Sequence, residues 1–207
     1  MSKKDQFLEE RCFIDANKIS LTSEGQADYY RRRYPSLADK VLVTPNMMPT
    51  GTPAPKETTV ERRDNQPIRL VYTGAFYGPR SPIPLLSAVT LAIGETPEIR
   101  NSLRIDLYGN ATPDSIQAIQ ACPIAHHYGA VSYDAAIEAQ KSADVLLVLE
   151  PEIDHEMQTH FLPSKVLDYI HLGKPILAIT PQGSETARLC QSGAGWAFTP
   201  DDVRGIS

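Results

Sequence analysis

Cysteine is scarce. Three residues, Cys12, Cys122 and Cys190, lie far apart in 207, and none forms a CxxC pair. That excludes a disulfide framework and reads as reduced thiols in a cytosolic protein. Long apolar runs are missing too. The longest, Val145 to Leu149, is bracketed by Asp144 and Glu150, far below the roughly 20 residues of a membrane span. Surface association with a membrane stays open. The start, MSKKDQF, is charged and has no apolar h-region, so it does not read as a signal peptide. GxxxxGK[ST] and GxSxG are absent, which removes the P-loop and α/β-hydrolase classes. No Asp-x-Asp occurs. Positive charge is not in excess: 20 Lys and Arg against 25 Asp and Glu give a net charge of -5. This argues against a general nucleic-acid binder. Any bound anion must be held by local cations against a mildly repulsive field.

What is present is ordinary for a globular protein, with 42% hydrophobic and 22% charged residues. A chain this long buries roughly 70% of its unfolded surface, so its core requires neither disulfides nor metal. Residues 5–16 show helical spacing, 18–23 read as a strand, 24–33 as a helix opened by Ser23 and Glu24, and 39–46 as a strand stopped by Pro45. Residues 47–67 hold four prolines, mixed charge and no apolar periodicity, the composition of a linker. A regular alternation follows, with strands at 69–76, 103–109, 124–129, 144–150, 175–180 and 195–199. Helices are expected at 82–93, 113–121, 132–143, 163–173 and 184–193. Strand and helix in turn predict an α/β, doubly wound, Rossmann-like parallel sheet covered on both faces. The default strand order is 3-2-1-4-5-6, whose first and fourth strands open a ligand crevice at their carboxyl ends. Here that crevice lies between 74–80 and 150–162.

Four segments are candidates for chemistry. In TGAFYGPR (73–80), Gly74 and Gly78 let backbone approach a ligand and Arg80 supplies a positive fork. The spacing is not that of GxGxxG, and a Gly/Pro turn with a solvated Arg is the alternative. In FLPSKVLDYIHLGKP (161–175), Ser164 and Lys165 fall in the first turn of a helix, where a phosphate can be received. Lys165 opposes the helix dipole there, a locally unfavourable choice that points to function. Asp168 follows on the same face and can accept two ribose hydroxyls; a surface ion pair with Lys165 is the alternative. In HHYGAVSYDA (126–135), Tyr128 and Gly129 can meet a base, or Tyr128 can be a core aromatic at a strand end. Gly109 and Asn110 end the second strand, which can be only a tight turn. Residues 152–160 hold Glu152, Asp154, His155, Glu156 and His160, but the spacing is HExxxH, not the HExxH of a helical zinc site. No metal site is expected.

YTGAFYGPRSPIPLLSAV, LRIDLYG, HYGAVSYDAAIEAQKSADVLLVL and FLPSKVLDYIHLGKPILAITPQGSETARL, in this order, resemble the C-terminal domain of group 1 (family 4) glycosyltransferases of the GT-B fold. The Pro-Ser-Lys…Asp-Tyr…Gly-Lys-Pro string is the most specific part. It is similar to versions in bacterial polysaccharide-assembly enzymes. The stretch ISLTSEGQADYYRRRYP…VLVTPN resembles the end of the N-terminal, acceptor-binding domain. The resemblance implies retaining transfer of a sugar from a nucleoside diphosphate sugar to a glycan or lipid-linked acceptor. Arg80 and Lys165 would neutralise the diphosphate, Asp168 would hold the ribose, and Gly74, Ser164, Tyr128 and Gly129 would complete the donor site. Preorganised cations stabilise a leaving diphosphate, so the resemblance implies neither divalent metal nor cofactor.

One departure matters. The first acid of the family's Glu-x7-Glu pair falls where this chain has His160, eight residues before Asp168. The expected organisation is 1–46 as a remnant of the acceptor domain, 47–67 as linker, and 68–207 as a C-terminally shortened donor domain, inactive alone. The expected setting is cytoplasmic, extending to the inner membrane face. Two other functions share these features, a nucleotide-sugar 2-epimerase and a non-catalytic nucleotide-binding module.

Overall fold

The computed structural model describes residues 3–46, 66–152 and 160–207. The segment read as a linker lies, but for residues 66 and 67, outside the described residues, as do Asp154, His155 and Glu156.

The N-terminal part is a small unit of its own. Helix α1 (Lys3–Asp15) leads to β1 (Ile19–Leu21), helix α2 (Glu24–Arg33), a 3-10 turn at Pro35–Lys40, and β2 (Val41–Val43), which pairs parallel with β1. Ser23 caps α2 by accepting from the Gln26 amide. Phe13, Ala27 and Val41 form the buried centre, with the Phe13 ring 4.7 Å from Tyr30 and 5.0 Å from Tyr34. Lys40 donates to the carbonyls of Ile14 and Ala16 and so satisfies the end of α1.

The larger part follows the alternation read from the sequence. Its elements are β3 (Ile68–Thr73), α3 (Ile83–Glu95), α4 (Ile99–Ser102), β4 (Leu103–Tyr108), α5 (Pro113–Ala121), β5 (Ala125–Gly129), α6 (Tyr133–Lys141), β6 (Val145–Leu149), α7 (Lys165–His171), β7 (Ile176–Ile179), α8 (Glu185–Leu189), β8 (Gly195–Phe198) and α9 (Val203–Ile206). The six strands make one sheet in the order β5-β4-β3-β6-β7-β8, and every pair is parallel. This is the expected 3-2-1-4-5-6 order.

Alternate residues of each strand feed two cores. Leu70, Tyr72, Ile105, Leu107, Leu147 and Leu149 pack against Leu85, Leu86 and Val89 of α3 and Ile119 of α5. On the other face, Val71, Leu146, Val148, Ile176 and Ala178 meet Ala139 of α6 and Val166 and Tyr169 of α7. Burying side chains of this size contributes about 1.5–3 kcal/mol each. The helices change faces at α6. The connections from β3 and from β6 therefore leave in opposite directions, and the carboxyl ends of these neighbouring strands are left uncovered.

Two details differ from the sequence reading. The helix expected at 184–193 ends at Leu189 and continues as a π-helical turn, Cys190–Ala194. Gly193 sits at φ 110 there, a conformation that breaks a helix and frees the chain to enter β8. Short helices α4 and α9 carry no apolar periodicity long enough to be read in advance.

Candidate functional site

The site begins where β3 ends. The Gly74 amide donates to the Tyr108 carbonyl at 2.8 Å, and the Phe76 amide to the Asn110 carbonyl at 2.8 Å. These bonds hold the strand end against β4. Gly74 has φ 147, and a β-carbon there would stand 2.7 Å from Lys165 Nζ. Gly109 has φ 128, and a β-carbon on it would overlap the Gly74 carbonyl. Both positions therefore need glycine, because backbone and the Lys165 ammonium occupy the space of a side chain.

Lys165 opens α7, and its side chain returns toward β3. Nζ donates to the Thr73 carbonyl at 2.9 Å and lies 4.1 Å from the centre of the Tyr72 ring, a cation–π distance. Thr73 is itself fixed, since Gln140 of α6 donates to its hydroxyl at 2.8 Å. Burial, aided by the nearby Arg80 and opposed by Glu150, brings the Lys165 ammonium down to about 7.

Arg80 and Lys165 line one cavity of about 380 Å³, with Tyr77, Glu150, Pro151, Phe161, Pro163 and Ser164. It opens at the carboxyl ends of β3 and β6, where the strand order reverses. The Arg80 guanidinium lies 5.2 Å from the centre of the Tyr77 ring. Its Nε, like the Tyr72 hydroxyl, is buried without a hydrogen-bond partner among the described residues. A buried guanidinium nitrogen left unpaired carries a desolvation cost that an anionic ligand would offset.

The other candidates fall around this centre. Ser164 lies on the cavity wall, is exposed, and makes no capping bond with its side chain. Asp168 is one turn further along α7 and is not among the residues lining the cavity. Its carboxyl is pushed up by burial, with His171 acting against the shift. Tyr128 stacks on Tyr108 with ring centres 4.5 Å apart, accepts from Arg104 at 2.5 Å and donates to Asp106 at 3.1 Å. Its hydroxyl is thus engaged in an ion-pair network, while 43% of the residue stays exposed. The Gly129 carbonyl accepts from the Gly109 amide at 2.7 Å. His160 lies on a second cavity of about 600 Å³, shared with Ser23, Glu24, Gly25 and Asp28 of the N-terminal unit and with Glu185. Both of its ring nitrogens are buried without a partner among the described residues. Among those residues, no cluster of three His, Cys, Asp or Glu side chains fits a metal ion, and no helix is long and apolar enough to cross a membrane.

Sequence reasoning passed over Glu150, Tyr77 and Tyr72. Glu150 had one signal: it is a charge directly continuing a fully apolar strand at the crevice.

The fold and the position of this cavity define one Rossmann-like half of a GT-B fold. Solved structures share it. WaaG, a glycosyltransferase involved in lipopolysaccharide biosynthesis, superposes with a TM-score of 0.62 at 15% identity, covering 91% of this chain and 52% of WaaG. Anabaena Alr3699/HepE, solved with UDP and glucose, gives 0.63 at 14% identity, covering 99% of this chain and 55% of its own. A point mutant of S. aureus TarM, solved with Fondaparinux, alpha-GlcNAc-glycerol and UDP, gives 0.68 at 9% identity, covering 100% of this chain and 38% of its own. The chain thus spans about half or less of the length of these neighbours. No protein-family model and no curated protein matches the sequence.

Proposed function

We propose that this chain is the donor-binding part of a glycosyltransferase that takes its sugar from a nucleoside diphosphate sugar. The observation that carries this reading is that Arg80 and Lys165 line one cavity at the sheet's reversal point. Two cations there suit a diphosphate, and they stabilise the charge that develops as it departs. The resemblance to family 4 supports the finer reading: retaining transfer, with Asp168 toward the ribose and the backbone around Tyr128 and Gly129 toward the base. Residues 1–46 would then be the end of an acceptor-binding domain, 47–67 the linker, and 68–207 the donor domain. The chain alone would bind a donor weakly at most and would not turn it over. Three free cysteines fit a cytoplasmic setting, and a lipid-linked acceptor would bring the enzyme to the inner membrane face.

Calorimetry with UDP, GDP and ADP tests the reading. One nucleotide should bind, and Arg80→Ala and Lys165→Ala should each weaken it at least about ten-fold, the cost of a lost charge-assisted contact. Absence of binding by a folded chain to all three would remove it.

A second reading, the nucleotide-sugar 2-epimerase, is favoured by the other cavity. There His160, Glu24, Asp28 and Glu185 line one space, the residue types that acid–base chemistry at a sugar carbon uses. Such an enzyme would invert a sugar stereocentre without acceptor, which proton NMR of the nucleotide sugar would reveal.

A further inference from the structure

The cavity assigned to a diphosphate contains a carboxylate. Glu150 is buried, continues β6 and lies on the same wall as Arg80 and Lys165. Its Oε2 accepts from the Thr180 hydroxyl at 2.6 Å, and Thr180 in turn contacts the Ser184 hydroxyl at 2.7 Å. The Thr180 hydroxyl, itself held by Ser184, therefore fixes the carboxyl from the β7–α8 side. Among the described residues it closes no direct ion pair with either cation. Arg80 and Lys165 line the same cavity, and the Arg80 Nε is unpartnered among the described residues.

Among the described residues, the groups that act on Glu150 or lie beside it come from several elements. Arg80 comes from the loop after β3, Lys165 from α7, Thr180 and Ser184 from the β7–α8 loop, Thr186 from α8, and Cys190 from the π-helical turn. Burial raises the Glu150 carboxyl; the Thr180 and Thr186 hydroxyls and the two cations act against the rise without cancelling it. The Cys190 thiol is pushed up to about 11, first by burial and then by Glu150. It stays protonated near neutrality and adds no charge.

We propose that Glu150 is the resident anion of this cavity, a positioning residue that balances Arg80 and Lys165 while no ligand is bound and takes up a proton from solvent when a diphosphate arrives. The inference rests on the diphosphate reading above. A carboxylate and a diphosphate cannot both stay fully charged against two cations in a small buried space, because like charges at such range disfavour ionisation. The ligand cannot shed its charges at neutral pH, whereas the carboxyl can accept one proton. The Thr180 hydroxyl suits either state, since it can donate to the carboxylate or accept from the acid.

The test observes the carboxyl itself. The chain is labelled with glutamate carrying carbon-13 at the side-chain carboxyl, and the Glu150 resonance is assigned by its loss in Glu150→Gln. Inorganic pyrophosphate, and separately UDP, GDP and ADP, are then added across a pH series. With bound pyrophosphate the Glu150 midpoint should rise by about one pH unit or more, the scale expected for a close like charge. Glu150→Gln should still bind pyrophosphate, since the amide keeps the shape and the Thr180 bond.

A midpoint that stays put while pyrophosphate binds would overturn the proposal. So would a Glu150→Gln chain that folds but no longer binds it, since the carboxylate would then be needed in the bound state. If pyrophosphate binds and moves Glu150 while no nucleoside diphosphate binds more tightly, this inference stands and the nucleotide reading falls. If none of the ligands binds, both fall.

Discussion

Lys165 and Tyr72 meet at the mouth of the reversed sheet, the ammonium 4.1 Å above the centre of a fully buried ring. The ring face attracts the cation, and the Thr73 carbonyl gives it one hydrogen bond. Neither contact replaces the water lost on burial, so the ammonium holds its proton only to about pH 7. A cation so poorly compensated has most to gain from an arriving anion.

Ligand affinity should therefore depend on pH in a stated direction. Above about pH 7 the free protein increasingly carries a neutral Lys165, and binding an anion must first restore the proton. Affinity for a nucleoside diphosphate should fall by about ten-fold or more between about pH 6.5 and 8.5, as the linkage of a shifted group requires. Titration calorimetry across that range checks it, and Lys165→Ala should show a shallower dependence.

The same residue should make the ligand-free fold more stable in mild alkali. Its folded value lies below its unfolded one, so between about pH 7 and pH 10 the unfolded chain binds more protons and stability rises with pH. Below about 7 the full penalty of burying the charge is present. Thermal melts of the wild type should climb from neutral pH toward about pH 9.5. Lys165→Met, which keeps the bulk and removes the charge, should flatten the climb.

Gly74→Ala should damage binding and fold together. The added carbon would press on Lys165 Nζ at 2.7 Å and must adopt φ 147, a strained backbone that costs about 1–3 kcal/mol. Gly109→Ala should be the more harmful, because its carbon meets the Gly74 backbone rather than a movable side-chain tip. Denaturant unfolding of both variants, with nucleotide binding by Gly74→Ala, provides the check.

Asp106 should be the most costly charge to remove. It is fully buried, accepts from Arg69 at 2.5 Å and from Arg104 at 2.9 Å, and also receives the Tyr128 hydroxyl. Burial by itself pushes its carboxyl up, but the bonds from Arg69 and Arg104 together outweigh it and leave the group below the ordinary range. Its contribution is thus present above the usual aspartate range and is lost as pH falls through the lowered folded value. Both arginines are partly exposed, so Asp106→Asn should cost about 2–4 kcal/mol at pH 7, somewhat less than breaking a fully buried pair. The difference from wild type should shrink below about pH 4.

The larger unit was legible in the sequence because its signals are local. Apolar runs such as DVLLVL and the glycines at 74, 109 and 129 mark strands and their ends, and alternation with helices sets a parallel sheet whose order is nearly forced. Arg80 and Lys165 were singled out from local signals too, Arg80 in the Gly-rich loop after β3 and Lys165 in the first turn of α7, and the structure sets both on one cavity. Pairings between distant residues were not. Nothing near Tyr128 announces Asp106 and Arg104, more than 20 positions away. Glu150 read as a strand boundary because a single acid carries no pattern, and only the folded sheet brings it into one cavity with two cations. His160 was noticed for the acid it replaces, but its contact with the N-terminal unit depends on a bond across 137 positions.

That bond links two regions that the chain keeps far apart. The Ser23 hydroxyl, which caps α2, also donates to the His160 carbonyl at 2.6 Å. The next residues, Phe161 and Pro163 to Lys165, form one wall of the cavity that holds Arg80. Sliding α2 must either drag this wall along or break the tether. The small N-terminal unit is therefore geared to the cleft through this bond, beside the contacts of Gly25 with His160 and Glu185, and the shape offered to a ligand depends on where that distant helix rests.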